Sequence, residues 1–257
     1  MEPVYRSVIG LCLTTFKVKR WDVRVTGTEH IPVTGGAVIA TNHIGYLDFI
    51  FVGAGVRLAP GKRLVRFAAK QETFDHKVSG PLMRAMKHIP VDRGGAAASA
   101  IDHGIRLLRA GELVGMFPES TISQSFVPLP GKTGTVRMAQ EAGVPIVPGA
   151  VWGSQRLFTK GRPRDFRSKV TITVDFGPAL ACDPEADAAE LTTELMGRIG
   201  ALVATAQERY PERPAPGEDA WWIPAHLGGT APTPAEAEAR ARDEAARRRR
   251  DPADDVV

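Results

Sequence analysis

The chain is poor in cysteine. Only Cys12 and Cys182 occur among 257 residues, with no CxxC spacing and no Cys/His cluster. That pattern offers no zinc site, and the two thiols are expected to be buried in a reducing compartment. Long apolar runs are missing too: none approaches the roughly eighteen residues that a membrane-spanning helix needs. The apolar stretch VIGLCL near the N-terminus is short and lacks a small-residue cleavage signature, so no signal peptide is expected. If this chain meets a membrane, it lies on it. Aromatic residues make up only 7% and are not interleaved with the basic ones, and no nucleic-acid motif appears, so nucleic-acid binding is not expected. There is no internal repeat.

What is present suits a folded domain. Hydrophobic residues make up 43% and charged residues 24%, ordinary proportions for a globular core with a polar surface. The formal net charge is +4 and the pI about 9.2, which suits an anionic partner such as a phosphorylated substrate or an acidic lipid surface.

Hydrophobic periodicity organises the chain. Tyr5, Val8, Ile9, Cys12, Leu13 and Phe16 fall on one helical face, followed by Lys17, Lys19, Arg20 and Trp21. This face either meets a bilayer interface or packs on the domain's own core. Strands are expected at 21–27, 36–42, 65–70, 88–93, 113–119, 145–153 and 169–177. Helices are expected near 47–58, 77–87, 95–110, 131–142 and 187–209. The alternation predicts an α/β fold: one domain (21–210) with a largely parallel central sheet flanked by helices. Residues 1–20 are expected as an amphipathic, membrane-associating N-terminal helix. Residues 211–257 change to Pro-, Ala- and Arg-rich composition and are expected as a disordered tail, with Trp221 and Trp222 anchoring its start to the domain or to lipid.

Ligands of open α/β sheets gather beyond the strand C-terminal ends. Three candidate residues follow predicted strands: His43, Arg93 and Glu119. In NHIGYLD (42–48), His43 and Asp48 are five apart. On a helix they would lie about 140° apart, so they can meet only across a turn, where Gly45 can supply an unusual backbone angle. Asp48 would fix the imidazole tautomer and leave the other ring nitrogen to take a proton from a substrate hydroxyl. No serine or cysteine lies in this stretch, which favours direct attack by that hydroxyl over a covalent intermediate.

In HIPVDRGG (88–95), Arg93 is either a bidentate phosphate ligand or a surface arginine paired with Asp92. In MFPESTIS (116–123), Glu119, Ser120 and Thr121 either hold a polyol hydroxyl or form a locally bonded turn. Lys132, in PGKTG, and Lys70, in AAKQETF, are further candidate cations, whereas Glu72 reads as a surface charge. GVPIVPGAVWG (143–153) reads as site wall or core. His88 reads as a packed or rim residue, and His30, His76, His103 and His226 lack partners at useful spacing.

Taken in order, NHIGYLD, HIPVDR, FPESTIS and VPIVP resemble the motifs of the glycerophospholipid acyltransferase family, in its 1-acylglycerol-3-phosphate acyltransferase branch. The resemblance spans roughly residues 20 to 180. It implies transfer of a fatty acyl group from acyl-CoA or acyl carrier protein to a glycerolipid hydroxyl, with His43 as general base and Asp48 as its orienter. Arg93, Glu119 and the residues after it would hold the phosphorylated acceptor. No metal or redox cofactor is implied, and the expected location is peripheral, on the cytoplasmic face of the plasma membrane.

This chain departs from the family pattern FPEGTRS at two points. Ser120 replaces a glycine, and Ile122 replaces an arginine expected to bind phosphate. Lys132 and Arg137 are the candidates to replace that contact. The departure leaves open another acceptor, such as a glycolipid or lipoamino acid. A thioester hydrolase and a membrane-binding module without catalysis are the competing readings; the first has no need of Arg93, Glu119 and Lys132, the second none of His43 and Asp48.

Overall fold

The computed structural model describes residues 2–77, 79–91 and 97–250. In chain order the elements are α1 (Pro3–Lys19), β1 (Asp22–Thr26), β2 (Ala37–Thr41), α2 (Asp48–Leu58), β3 (Val65–Lys70), α3 (Gln71–Asp75), α4 (Ser79–Ala85), β4 (Ile89–Val91), α5 (Ala97–Arg109), β5 (Leu113–Met116), α6 (Gly134–Ala142), β6 (Ile146–Trp152), β7 (Thr171–Phe176), α7 (Ala188–Glu208) and α8 (Pro234–Arg250). All the strands and helices expected within 21–210 form. The short helix α3 was not expected; its sequence, QETFD, has too few apolar residues to show a period.

The strands make one sheet in the order β1-β7-β6-β2-β5-β3-β4. Every pairing is parallel except β6 with β7. The central strand β2, AVIAT, is buried at every position, as expected of a parallel strand covered on both faces. The edge strand β1, DVRVT, alternates exposed and half-buried, which is why its sequence alternates.

Helices cover both faces. On one, Phe16 of α1 and Phe51, Val52 and Val56 of α2 pack on Ile39, Phe67 and Val174. On the other, Ile105 and Leu108 of α5, Val136 and Met138 of α6, and Leu195 and Ile199 of α7 pack on Val38, Val114 and Ile146. Each such side chain contributes about 1.5–3 kcal/mol on burial.

The N-terminal helix is built into this core. Tyr5, Ile9 and Phe16 are buried and Cys12 and Leu13 partly so: the face that had two possible uses packs on the domain. The Tyr5 hydroxyl donates to Val65 O at 2.6 Å. Beside it, Arg66, 1% exposed, donates to both Glu2 carboxylate oxygens (2.6 and 2.7 Å) and to Met86 O, and its guanidinium lies 5.5 Å from the Tyr5 ring. Glu112 also accepts from Arg66, at 3.3 Å, but Glu2 takes the two shorter bonds, so the pair ties the start of α1 to β3. Val4, Leu11 and Val18 remain exposed. Seven residues apart, they form a second apolar stripe on the outer side of the helix. No helix among the described residues is long and apolar enough to cross a membrane.

The stretch after α7 returns to the domain. Trp222 is buried with Ile44, Phe126, Trp152 and Tyr210, and its carbonyl accepts from Gln155 Nε2 at 3.2 Å. The Arg156 guanidinium covers its ring at 4.4 Å. Of the two anchors open to the tryptophan pair, Trp222 takes the domain. Beyond it, residues 234–243 of α8 are exposed apart from the buried Ala237.

Candidate active site

Strand register brings the site together. Strands β2 and β5 are parallel neighbours with Ala40 opposite Met116, so His43 and Glu119 each lie three residues past matched positions. Strand β6 flanks β2 on its other side, also parallel. The chain reverses its direction of strand addition around β2, and a crevice forms at such a switch point. The loops after β2, β5 and β6 supply His43, Glu119 and Ser154 to it.

Asn42 closes strand β2. Its side-chain Nδ2 donates to Val151 O at 3.0 Å and its Oδ1 accepts from Val151 N at 2.7 Å, continuing the β2–β6 ladder with a side chain where the backbone turns away. His43 is then presented at the start of the turn, and Asp48 opens α2.

His43 Nδ1 lies 2.9 Å from Asp48 Oδ2. The same oxygen accepts the backbone N–H groups of Ile44 (2.8 Å) and Gly45 (2.9 Å). The other oxygen accepts the Ser154 hydroxyl. An oxygen that already takes two N–H groups is an acceptor, so the proton between the ring and Asp48 sits on Nδ1, leaving Nε2 without one. Asp48 is fully buried, at the positive end of α2, which favours its negative charge further. The imidazole is 21% exposed and stacks on the Phe117 ring (4.1 Å between centroids, 17° between planes), so it is held in place with Nε2 as its free edge.

Gly45 serves this turn differently from expectation. It is absent from the left-handed positions of the backbone. A Cβ there would meet Phe158 O at 3.0 Å, Ser154 Oγ at 3.2 Å and Asp48 Oδ1 at 3.3 Å. The glycine is favoured by close approach, not by an unusual φ.

Glu119 also differs from expectation. It is 4% exposed, and its two oxygens are occupied by backbone N–H groups, Oε1 by His43 and Oε2 by Leu129, both at 2.8 Å. Burial pushes the carboxyl up to about 8, against the pull of these two donors; the nearby Asp48 adds to the rise. Glu119 therefore braces the loop that carries His43, with one N–H on each of its oxygens.

The other candidates fall as follows. Ser120 and Thr121 are exposed on the turn beyond Glu119, with Ser120 at φ +57°. Ile122 is buried. Lys132 is exposed, and its backbone N–H donates to Pro118 O at 3.0 Å, which places the PGKTG loop beside this turn. Arg137 is exposed on α6. The Lys70 backbone ends β3 opposite Val91. Arg93 lies outside the described residues.

His88 is buried and accepts from Phe67 N at 3.0 Å, in the packing role expected. No group of three or more metal-ligating side chains occurs among the described residues. Both cysteines are free and half-buried, and burial pushes the thiols up, Cys182 to about 11.

Sequence reasoning missed Ser154 and Thr159. Thr159 Oγ1 donates to Ile44 O at 2.6 Å and so ties the 156–160 loop to the His43 turn. Neither lies in a local pattern that marks it, since each acts across more than a hundred residues of chain. Phe117 was in view within MFPESTIS, but its stacking on His43 follows from the β2–β5 register alone.

An oriented imidazole without an attached nucleophile, beyond the strand ends of an α/β sheet, suits activation of a substrate hydroxyl. Comparison with known proteins agrees. The family model "Acyltransferase" matches residues 22–152. The 1-acyl-sn-glycerol-3-phosphate acyltransferase of Bacillus subtilis (strain 168) is 37% identical over 157 residues, covering 59% of this chain and 76% of that protein. That of Limnanthes douglasii is 32% identical over 165 residues, covering 63% and 55%. An uncharacterised protein of Mycobacterium leprae (strain TN) is 31% identical over 170 residues, covering 61% and 44%. The crystal structure of the 1-acyl-sn-glycerophosphate (LPA) acyltransferase PlsC from Thermotoga maritima has the same fold, with a TM-score of 0.67 over 80% of this chain and 81% of that one, at 23% identity. The chain belongs to the Acyltransferase family, and it is an acyltransferase enzyme.

Proposed function

We propose that the enzyme transfers a fatty acyl group from acyl-CoA or acyl carrier protein to the free hydroxyl of 1-acylglycerol-3-phosphate, giving phosphatidic acid. The observation that carries this reading is the Asp48–His43 pair: a buried carboxylate with four hydrogen-bond partners fixes the ring and leaves Nε2 as its bare nitrogen. Nε2 takes the proton of the acceptor hydroxyl as its oxygen attacks the thioester carbonyl carbon. The C–O bond forms, the C–S bond of the tetrahedral adduct breaks, and the thiolate leaves with the proton from the imidazolium. Ser154 is buried and its hydroxyl donates a hydrogen bond to Asp48, so it is not a nucleophile for this step. Arg93, Thr121, Ser120 and Lys132 hold the acceptor's phosphate end, Lys132 being supported by its position beside the Glu119 turn. Glu119 is a positioning residue.

The enzyme works on the cytoplasmic face of the plasma membrane, with α1 as its membrane-facing element. The exposed stripe Val4, Leu11 and Val18, next to Lys17 at the end of that helix, supports this placement.

The test is free-thiol release from palmitoyl-CoA by the purified protein, with and without 1-acylglycerol-3-phosphate, beside a His43→Ala variant. Release that requires both the lipid and His43 is the expected result. Release without the lipid would replace transfer by hydrolysis.

A further inference from the structure

The family match ends at Trp152, the last residue of β6. The chain that follows turns straight back onto the catalytic pair. Gly153 takes φ +95°, and a Cβ there would lie 2.2 Å from Thr171 O, so this corner suits glycine. The Gly153 N–H donates to Gln155 Oε1 at 2.9 Å, and Gln155 Nε2 donates to Trp222 O at 3.2 Å. These bonds fix the corner and the short 3-10 turn Ser154–Arg156 that it opens. Ser154 is fully buried there, with its hydroxyl on Asp48 Oδ1.

Three bonds join this segment to the His43 turn. Ser154 Oγ donates to the Asp48 carboxylate, Thr159 Oγ1 donates to Ile44 O at 2.6 Å, and Phe158 O accepts from Tyr46 N at 2.9 Å. The last two hold backbone. The first holds a side chain, the one that orients the ring. Asp48 Oδ2 is shared by His43 Nδ1 and two N–H groups, whereas Ser154 is the hydrogen-bond partner of Oδ1 among the described residues. A carboxylate bonded at one oxygen can swing about Cβ–Cγ; bonded at both, it presents a fixed plane. Without the hydroxyl, Oδ1 would be a buried charged oxygen lacking a donor, and rotating to share the turn's N–H groups would take Oδ2 off the line to the ring.

We propose that Ser154 is a positioning residue for the reaction: through Asp48 Oδ1 it sets the carboxylate plane that holds the His43 proton on Nδ1. The proposal rests on the reading of His43 as the base of acyl transfer. It makes the orientation of that base depend on the β6–β7 connection, beyond the residues that the family model matches.

The test uses the full chain, a Ser154→Ala variant, and Tyr5→Phe as control. Tyr5→Phe also removes a buried hydroxyl bond, to Val65 O, but at the opposite end of the strands from the site. The first readout is nitrogen NMR of protein labelled in its histidine rings, with the His43 signals assigned by their loss in His43→Ala. The wild type and Tyr5→Phe are expected to show a protonated Nδ1 and a bare Nε2. Ser154→Ala is expected to move both signals toward a mixture of the two tautomers. In thiol release from palmitoyl-CoA with 1-acylglycerol-3-phosphate, Ser154→Ala should lower kcat about tenfold with both KM values within about twofold, and Tyr5→Phe should leave both unchanged. In an Asp48→Asn background, Ser154→Ala should lower kcat less than about twofold further, because its effect passes through Asp48. Ring signals like those of wild type in Ser154→Ala overturn the proposal, whatever the rate, and so does a full further tenfold loss in the Asp48→Asn background. A raised KM at constant kcat overturns it too, and makes Ser154 part of a substrate pocket. A shifted His43 tautomer in Ser154→Ala, with no thiol release by the wild type, would keep the link from Ser154 to the ring and remove the acyltransfer reading.

Discussion

The backbone N–H of His43 meets the Glu119 carboxylate at 2.8 Å, across two neighbouring strands. The contact follows from the Ala40–Met116 register, since both loops leave the sheet at one level. Glu119 thereby links three loops: the His43 turn, its own turn, and through Leu129 the stretch leading to Lys132. The base is oriented twice, at its ring by Asp48 and at its backbone by Glu119.

Glu119→Gln separates positioning from binding. Each oxygen of the Glu119 carboxyl accepts one N–H, whereas the amide offers a single oxygen and an NH2 that confronts the other donor. The expected cost is about 1–3 kcal/mol of stability. A similar loss of alignment at His43 lowers kcat about tenfold or more, with the KM for 1-acylglycerol-3-phosphate nearly unchanged. Urea denaturation and steady-state kinetics check both. A raised KM at constant kcat would instead make Glu119 a ligand of the acceptor.

Asp48→Asn tests the tautomer. One oxygen of Asp48 takes three N–H groups, including the ring's. The amide brings its own donor into that cluster and lets the ring turn its proton to Nε2. Thiol release is expected to fall about 10²–10⁴-fold. His43→Ala should fall as far, and the double variant no further, because the two act as a unit. Additive losses in the double variant would show that the residues work independently.

Much of this was legible in the sequence because its signals are local. The run AVIAT and the alternation of DVRVT each report how many faces of the strand are covered. His43 and Asp48 could be paired because a turn of five residues has few ways to close. What was not legible depends on register. Glu119 carries the same local pattern whether its carboxylate faces a ligand or the His43 backbone, and only the β2–β5 pairing turns it inward. The apolar face of α1 was equally open to lipid and to the core; the buried Arg66–Glu2 pair, 64 residues apart, settles it for the core. Trp222 is similar, since its partners Trp152 and Phe126 lie far back in the chain.

Ser120 tells why a glycine suits its position. Its backbone lies at φ +57°, the left-handed region, which costs a residue with a Cβ about 1–2 kcal/mol. Glycine removes that cost but gains freedom in the unfolded chain, worth about 0.4–1 kcal/mol the other way. Ser120→Gly is therefore expected to raise stability by up to about 1 kcal/mol, and Ser120→Val to lower it by more than that, since a branched Cβ fits this region worst. Thermal and urea unfolding measure both. A valine variant as stable as the serine would mean the turn relaxes out of the left-handed region.

His88 gives the protein a pH dependence of known sign. Burial, and then the Arg66 charge, lower the imidazole to about 4 from its ordinary 6.5. In the unfolded chain it binds a proton near 6.5, while the folded form stays neutral until about pH 4. As pH falls through that window the unfolded state gains protons first, so stability is lost. The loss attributable to this group approaches about 3 kcal/mol at pH 4, from about 1.4 kcal/mol per unit. His88→Asn retains an acceptor for the Phe67 N–H but cannot titrate. It is expected to be less stable than wild type at pH 7, because it packs less volume, yet to lose less between pH 6.5 and 4.5. Urea midpoints at several pH values give the two slopes. Parallel slopes would mean that His88 takes up its proton in the fold, with Tyr5 and Arg66 moving aside to admit water.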